Sequence, residues 1–296
     1  MAEVRKAYLQ LHIAVLLYGF TAILGDLISL SAPVLVWWRV FFTSLSFFFL
    51  FPVFARLKAL PRGLIWRFMG IGVLIALHWI TFFGSIKYAN PSVCLVCMAT
   101  TSFFTAILEP SLLRQKHKWY EFVLGLLIIP GMILVVRGLQ IDMWVGVLLG
   151  LVSAFLASLF SILNKKYIHR ADPQEITFVE LGSAWLFISL LLPFILRGNV
   201  AFLPEGMDWA YLLVLSLLCT TFAYVLSLKA LKHISAFAAT LTINLEPVYG
   251  ILLAFFFLND AQELDHNFYL GCLVILLSVF AYPVIQKRIN RKKSIS

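Results

Sequence analysis

Apolar residues run through this chain in ten stretches separated by short polar breaks. They fall at about 8–28, 33–54, 68–89, 91–113, 120–137, 144–164, 175–196, 209–230, 234–258 and 268–286. A helix crosses a bilayer with about 17–25 predominantly apolar residues, so each stretch predicts a transmembrane helix. The breaks carry turn or charge signals: Ser31-Ala32-Pro33, Asn90-Pro91, Ala171-Asp172-Pro173 and Leu203-Pro204-Glu205-Gly206. The connections are short. The pattern predicts an all-α membrane protein in which ten helices form one compact bundle with little outside it.

Composition agrees with the pattern. Of 296 residues 62% are hydrophobic and 12% charged, where a soluble domain carries about a quarter charged residues. The net charge of +9 does not indicate nucleic acid, because the basic residues sit in short loops between apolar runs. The first run has no small-residue cleavage site and reads as a retained span. Cys94, Cys97, Cys219 and Cys272 all lie in apolar runs. Cys94 and Cys97 form a C-x-x-C, but as small packing residues on one helix face they need no redox or metal role. No cofactor or metal site is expected.

The basic residues orient the bundle. With the N-terminus inside, nineteen of the 23 Lys and Arg fall in cytoplasmic segments and three (Lys87, Arg137, Arg197) in outer ones, leaving Arg39 within a span. So lopsided a count predicts both termini in the cytoplasm. The halves also repeat. Tyr269-Leu270-Gly271 matches Val123-Leu124-Gly125, and Ser227-Leu228-Lys229-Ala230 matches Ser85-Ile86-Lys87-Tyr88, at offsets of about 141 to 146 residues. Five spans per half is an odd number, so the second copy enters from the opposite side. The expected organisation is two inverted five-helix repeats, residues 1–138 and 139–296, the second with a short basic cytoplasmic tail. Inverted repeats place a transporter's site between them near the midplane.

The ninth run, SAFAATLTINLEPVYGILLAFFFL, holds the most costly group. A carboxylate in hydrocarbon needs a partner or a wet cavity, and Glu246 precedes Pro247, which frees the carbonyl of Ile243 and predicts a kink. Ser235, Ala239, Thr242, Glu246 and Tyr249 share a helical stripe, with Asn244 nearly opposite. Glu246 is therefore a candidate to hold a cationic group or titrate; the alternative is that it braces the kink. Glu109-Pro110 looks like its repeat copy, but the registers disagree, and the counterpart of Glu246 falls in Thr100-Thr101-Ser102. Glu109, nearer the cytoplasm beside Arg114, suits an ion pair or an inner gate.

Uncharged polar faces appear on two further runs: His78, Thr81 and Ser85 on the third, beside Trp79, and Thr220, Tyr224 and Ser227 on the eighth. They suit a substrate's amino or carboxyl group, or interhelical hydrogen bonds. Trp79 suits a cavity wall or a lipid face. The candidate substrate-binding set is His78, Trp79, Thr101, Ser102, Thr220, Tyr224, Thr242 and Glu246. A second symmetry concerns charge, since Arg39 and Glu180 stand 141 residues apart. It predicts two latches, Asp26–Arg39 outside and Lys165 or Lys166 with Glu180 inside. Glu246, Glu109, Asp26, Arg39 and Glu180 are thus the coupling and gating candidates.

Ten spans as five plus five, Lys229-Ala230-Leu231-Lys232-His233-Ile234-Ser235-Ala236 leading into Leu245-Glu246-Pro247-Val248, and Phe255-Phe256-Phe257-Leu258-Asn259-Asp260 resemble the EamA family of the drug/metabolite transporter superfamily. The first half resembles the same domain more loosely through Ile86-Lys87-Tyr88-Ala89-Asn90-Pro91-Ser92, and Arg39 matches the family's habit. Where the family ends its ninth helix in Gly-Glu, this chain has Asn259-Asp260. The resemblance implies efflux of small metabolites such as amino acids, or of drug-like compounds, through a cavity lined chiefly by helices 1, 3, 4, 6, 8 and 9. It implies a multi-pass protein of a bacterial inner membrane. The chain holds no G-x-x-x-x-G-K-[ST], so the expected protein is a secondary transporter with protons as a candidate coupling ion, monomeric or homodimeric. An enzyme acting on lipids would need clustered histidines or carboxylates, whereas the six histidines are scattered. A receptor or scaffold would need a soluble domain.

Overall fold

The structure, a computed structural model, describes residues 2–50, 53–135, 143–195, 201–246, 248–249 and 266–293. Its helices are α1 (Ala2–Leu27), α2 (Ala32–Leu50), the short α3 (Val53–Leu57), α4 (Arg62–Tyr88), α5 (Pro91–Leu113) and α6 (Trp119–Val135). Then follow α7 (Trp144–Tyr167), α8 (Pro173–Ile195), α9 (Asp208–Ser216), α10 (Ala223–Leu231), α11 (Ala236–Ile243) and α12 (His266–Lys293). A π-helical turn, Leu217–Phe222, joins α9 to α10 into one rod. Among the described residues eight helices are long and apolar enough to cross a membrane, counting that rod as one.

The run at 120–137 gives α6, whose described residues end at Val135. One predicted run comes out differently. In the run at 234–258 the regular helix stops at Ile243, with a turn at Asn244 and Leu245. Ile243 is the residue whose carbonyl Pro247 cannot reach, so the break falls where the missing N–H puts it. Pro247 itself, and the run beyond Tyr249, lie outside the described residues. The third helix begins earlier than its apolar run, at Arg62 rather than 68.

Local signals set the helix ends that matter for the interior. Asn90 accepts from the Val93 N–H at 2.8 Å and Pro91 occupies the first turn of α5, which satisfies one donor and removes another. Ser235 does the same for α11, accepting from Ala238 N–H at 3.1 Å. Packing is reciprocal between the halves. α4 lies on α7 and α8 while α1 lies on α10; α5 meets α6 and α7, and α6 pairs with α12. At Gly72, α4 crosses α8 closely. A side chain there would collide with the Ser183 hydroxyl and the Glu180 backbone of α8. With no hydrophobic drive between helices in lipid, such backbone approach is how spans hold together.

The two ends of the bundle differ in chemistry. Lys165 Nζ donates to the Leu231 carbonyl at 2.8 Å and Lys118 pairs with Glu121 at 2.8 Å, gathering basic connections at one end. Partial burial pulls the Lys118 pKa down, but the hydrogen bond and charge of Glu121 outweigh it and leave the group above an ordinary lysine. At the other end Trp37, Trp38, Phe41, Phe202 and Trp209 form a contiguous aromatic cluster. Outward-facing Phe49, Leu190 and Phe194 are exposed, as a lipid-facing wall requires.

Candidate functional site

A cavity of about 130 Å³ opens among α1, α2, α4, α5, α7, the α9–α10 rod and α11. Its walls are mostly apolar and aromatic, including Trp79, Phe82, Met98 and Phe160. Two charged groups of opposite sign line it, Arg39 and Glu246.

Arg39 is 2% exposed. Its guanidinium carbon sits 4.0 Å over the Trp79 ring, a cation–π contact strengthened by desolvation. Its Nε donates to Thr220 Oγ at 2.7 Å, and its Nη1 has no partner. The π turn prepares that acceptor. Thr220 and Thr221 donate their hydroxyl hydrogens back to the carbonyls of Leu215 and Ser216, five residues earlier, and hold the rod's widened turn against α2. Such turns often mark functional positions in helices.

This geometry corrects the outer latch. Asp26 is exposed, while Arg39 points inward to Thr220 and Trp79. Desolvating a guanidinium is tolerable here because a ring face and a hydroxyl replace part of its water. The inner latch is corrected too. Lys165 donates to the Leu231 carbonyl and Lys166 to the Leu112 carbonyl at 3.5 Å. Glu180, fully buried, instead accepts at Oε2 from Tyr224 at 2.8 Å and from Asn164 Nδ2 at 3.4 Å. Both lysines reach an unpaired carbonyl at the helix-end surface without dragging their ammonium groups into the bundle.

The remaining candidates separate. His78, Trp79, Thr101, Thr220, Tyr224 and Glu246 line the cavity. Trp79 is buried at 7% exposure and so is no lipid-facing residue. His78 Nδ1 lies 2.8 Å from Ser153 Oγ and 3.0 Å from the Ser153 carbonyl, tying α4 to α7. Thr242 is buried but spends its hydroxyl on the Ala238 carbonyl, and Ser102 is buried against Asn244, whose Nδ2 donates to it at 3.0 Å. Neither reaches the cavity wall. Asn244 does, contrary to its expected place opposite Glu246. The helical wheel fails there because the helix has already ended. Glu109 accepts from the Ala236 and Phe237 N–H groups at 3.0 and 2.7 Å. It caps α11 from the other half and leaves Arg114 exposed, so the expected ion pair is replaced by a helix cap.

Sequence reasoning missed Tyr18 and Thr21 of α1 and Thr240 of α11 on the cavity wall. A tyrosine in mid-run was the available signal; the threonines gave none, since hydroxyls bond their own helix as readily as a ligand.

A polytopic helical membrane protein with a mostly apolar chamber that carries two charged side chains and is lined from both halves is the class that this geometry defines. Comparison with known proteins carries it further. The EamA-like transporter family matches twice, over residues 5–137 and 144–282, and the chain belongs to that family. An uncharacterized transporter of Archaeoglobus fulgidus is 25% identical over 69% of this chain and 72% of its own length. A GDP-fucose transporter of Dictyostelium discoideum is 25% identical over 70% of this chain, which spans only 57% of that relative. A solved crystal structure superposes with a TM-score of 0.73 at 14% identity, covering 96% of this chain and 98% of its own, and shows a shared fold.

Proposed function

We propose that the protein is a secondary active transporter that exports a small zwitterionic metabolite, an amino acid, by alternating access between two inverted five-helix halves, with both termini in the cytoplasm. One observation carries the reading: Arg39 and Glu246 line one cavity, and Arg39 keeps Nη1 free. A carboxylate on Arg39 and an ammonium on Glu246 would complement both charges at once, with Thr220 beside Arg39. Size favours the same class. Pockets for drug-sized ligands measure about 300–1,000 Å³, well above the 130 Å³ found here. The family match and the relatives' names support transport rather than catalysis.

Purified protein in proteoliposomes loaded with unlabelled leucine should take up radiolabelled leucine by exchange. Arg39→Met should abolish that exchange, and Arg39→Lys should weaken it, because an ammonium keeps the charge but loses the planar stack on Trp79. Exchange of no amino acid in a full panel would overturn the substrate class.

A further inference from the structure

Behind the cavity lies a second polar cluster that substrate binding does not use. Glu180 of α8 is 0% exposed and Asn164 of α7 is 1% exposed. They meet at the hydroxyl of Tyr224 on α10, which accepts from Asn164 Nδ2 at 2.8 Å and donates to Glu180 Oε2 at 2.8 Å. Two acceptors in the cluster have no partner: Glu180 Oε1 and Asn164 Oδ1. Among the described residues no cation compensates the carboxyl. Lys165 and Lys166 are spent on carbonyls, Arg67 of α4 lies over the Tyr167 ring at 5.1 Å, Arg39 is held by Trp79, and Arg56 of α3 is exposed. On α1, Tyr18 hydrogen-bonds Ser227. At Gly72, α4 presents only backbone to this stretch of α8. A carboxylate with no cation and one bare oxygen, deep in a bundle, is the costliest arrangement a span can hold. A structural brace would be served as well by glutamine.

We propose that Glu180 is a proton-binding carboxyl set behind the cavity and reached from it through Tyr224, and that its protonation drives the transport cycle. The second half of that statement rests on the transporter reading above. The step balances simply. Tyr224 hands its hydroxyl proton to Glu180 Oε2 and takes one from the cavity that it lines. One O–H bond forms on Glu180, and the carboxylate charge is discharged. The same heavy-atom positions serve both states. In the ionised state Asn164 donates to Tyr224, and Tyr224 donates to Glu180. In the protonated state Glu180 donates to Tyr224. Tyr224 then donates to Asn164, whose amide has turned over to present its oxygen at the same 2.8 Å. An amide that offers a donor on one edge and an acceptor on the other is suited to that exchange.

Infrared difference spectra of the purified protein, recorded as pH is stepped, read the proton directly and need no substrate. A protonated-carboxyl stretching band should titrate, vanish in Glu180→Gln and persist in Glu246→Gln. In Tyr224→Phe, which keeps the ring but not the hydroxyl, the band should titrate at a shifted pH. In proteoliposomes with leucine as probe, Glu180→Gln should keep exchange yet lose accumulation driven by a proton gradient. A titrating band unchanged in both Glu180→Gln and Tyr224→Phe overturns the assignment, as does accumulation that follows a sodium gradient. If no amino acid moves at all, the transporter reading fails while the infrared titration still decides the proton site.

Discussion

Glu109 shows how a single residue can be read correctly for depth and wrongly for partner. Counting placed it near the basic end of the bundle; nothing in the count says that the first N–H groups of α11 lie across from it. Both its oxygens are spent there. Hydrogen bonds to a charged group contribute about 1.5–3 kcal/mol, and stranding a buried donor costs about 1–3 kcal/mol. Glu109→Ala should therefore lower the unfolding midpoint in detergent clearly, while Glu109→Gln, which keeps one acceptor oxygen, should lose part of that. A midpoint unchanged in both would show that the cap contributes nothing. Arg39 and Glu180 teach the same lesson. Their offset of 141 residues was legible, but a ring face, a hydroxyl and a carboxamide are partners that opposite-charge counting never considers. The face made by Thr220, Tyr224 and Ser227 was legible, and all three line the cavity, because helical periodicity survives even where the rod widens at its π turn.

Between elements, the informative contacts are the closest ones. Apolar runs disclose that helices exist, since hydrocarbon leaves the backbone no alternative, but not which helices touch. Gly72 is one residue in a run of apolar ones, yet the α4–α8 crossing depends on it. Gly72→Leu should push these helices apart, displace the Glu180 backbone and reduce the yield of folded protein on size-exclusion chromatography. Gly63, with open space around its missing side chain, is the control, and Gly63→Ala should behave as the parent. The early end of α11 was half legible. Pro247 announced a kink, but a wheel drawn through Asn244 assumed a regularity that the same proline had removed.

For the whole molecule, orientation in the membrane is the next quantity to measure. Single cysteines at Lys116 and at Glu205 should react with an impermeant thiol reagent from opposite sides, Lys116 from the cytoplasm; equal reactivity from one side would refute the arrangement. The ends themselves share a chemical habit. At one, Asp208 accepts from the Ser29 N–H at 3.1 Å and its hydroxyl at 2.6 Å, and Lys87 donates to the Ile28 carbonyl at 2.6 Å. At the other, Glu109 holds α11 and Lys165 holds the Leu231 carbonyl. Each tie joins one charged side chain to groups without net charge. Dissolved ions weaken attraction between net charges beyond about 10 Å at 0.1 M, and they act far less on a charge touching a dipole at bonding distance. The Lys118–Glu121 pair aside, these ties are therefore largely indifferent to ionic strength. The exchange rate should stay level from dilute buffer to molar potassium chloride, where a gate built from ion pairs would slacken steadily as salt is added.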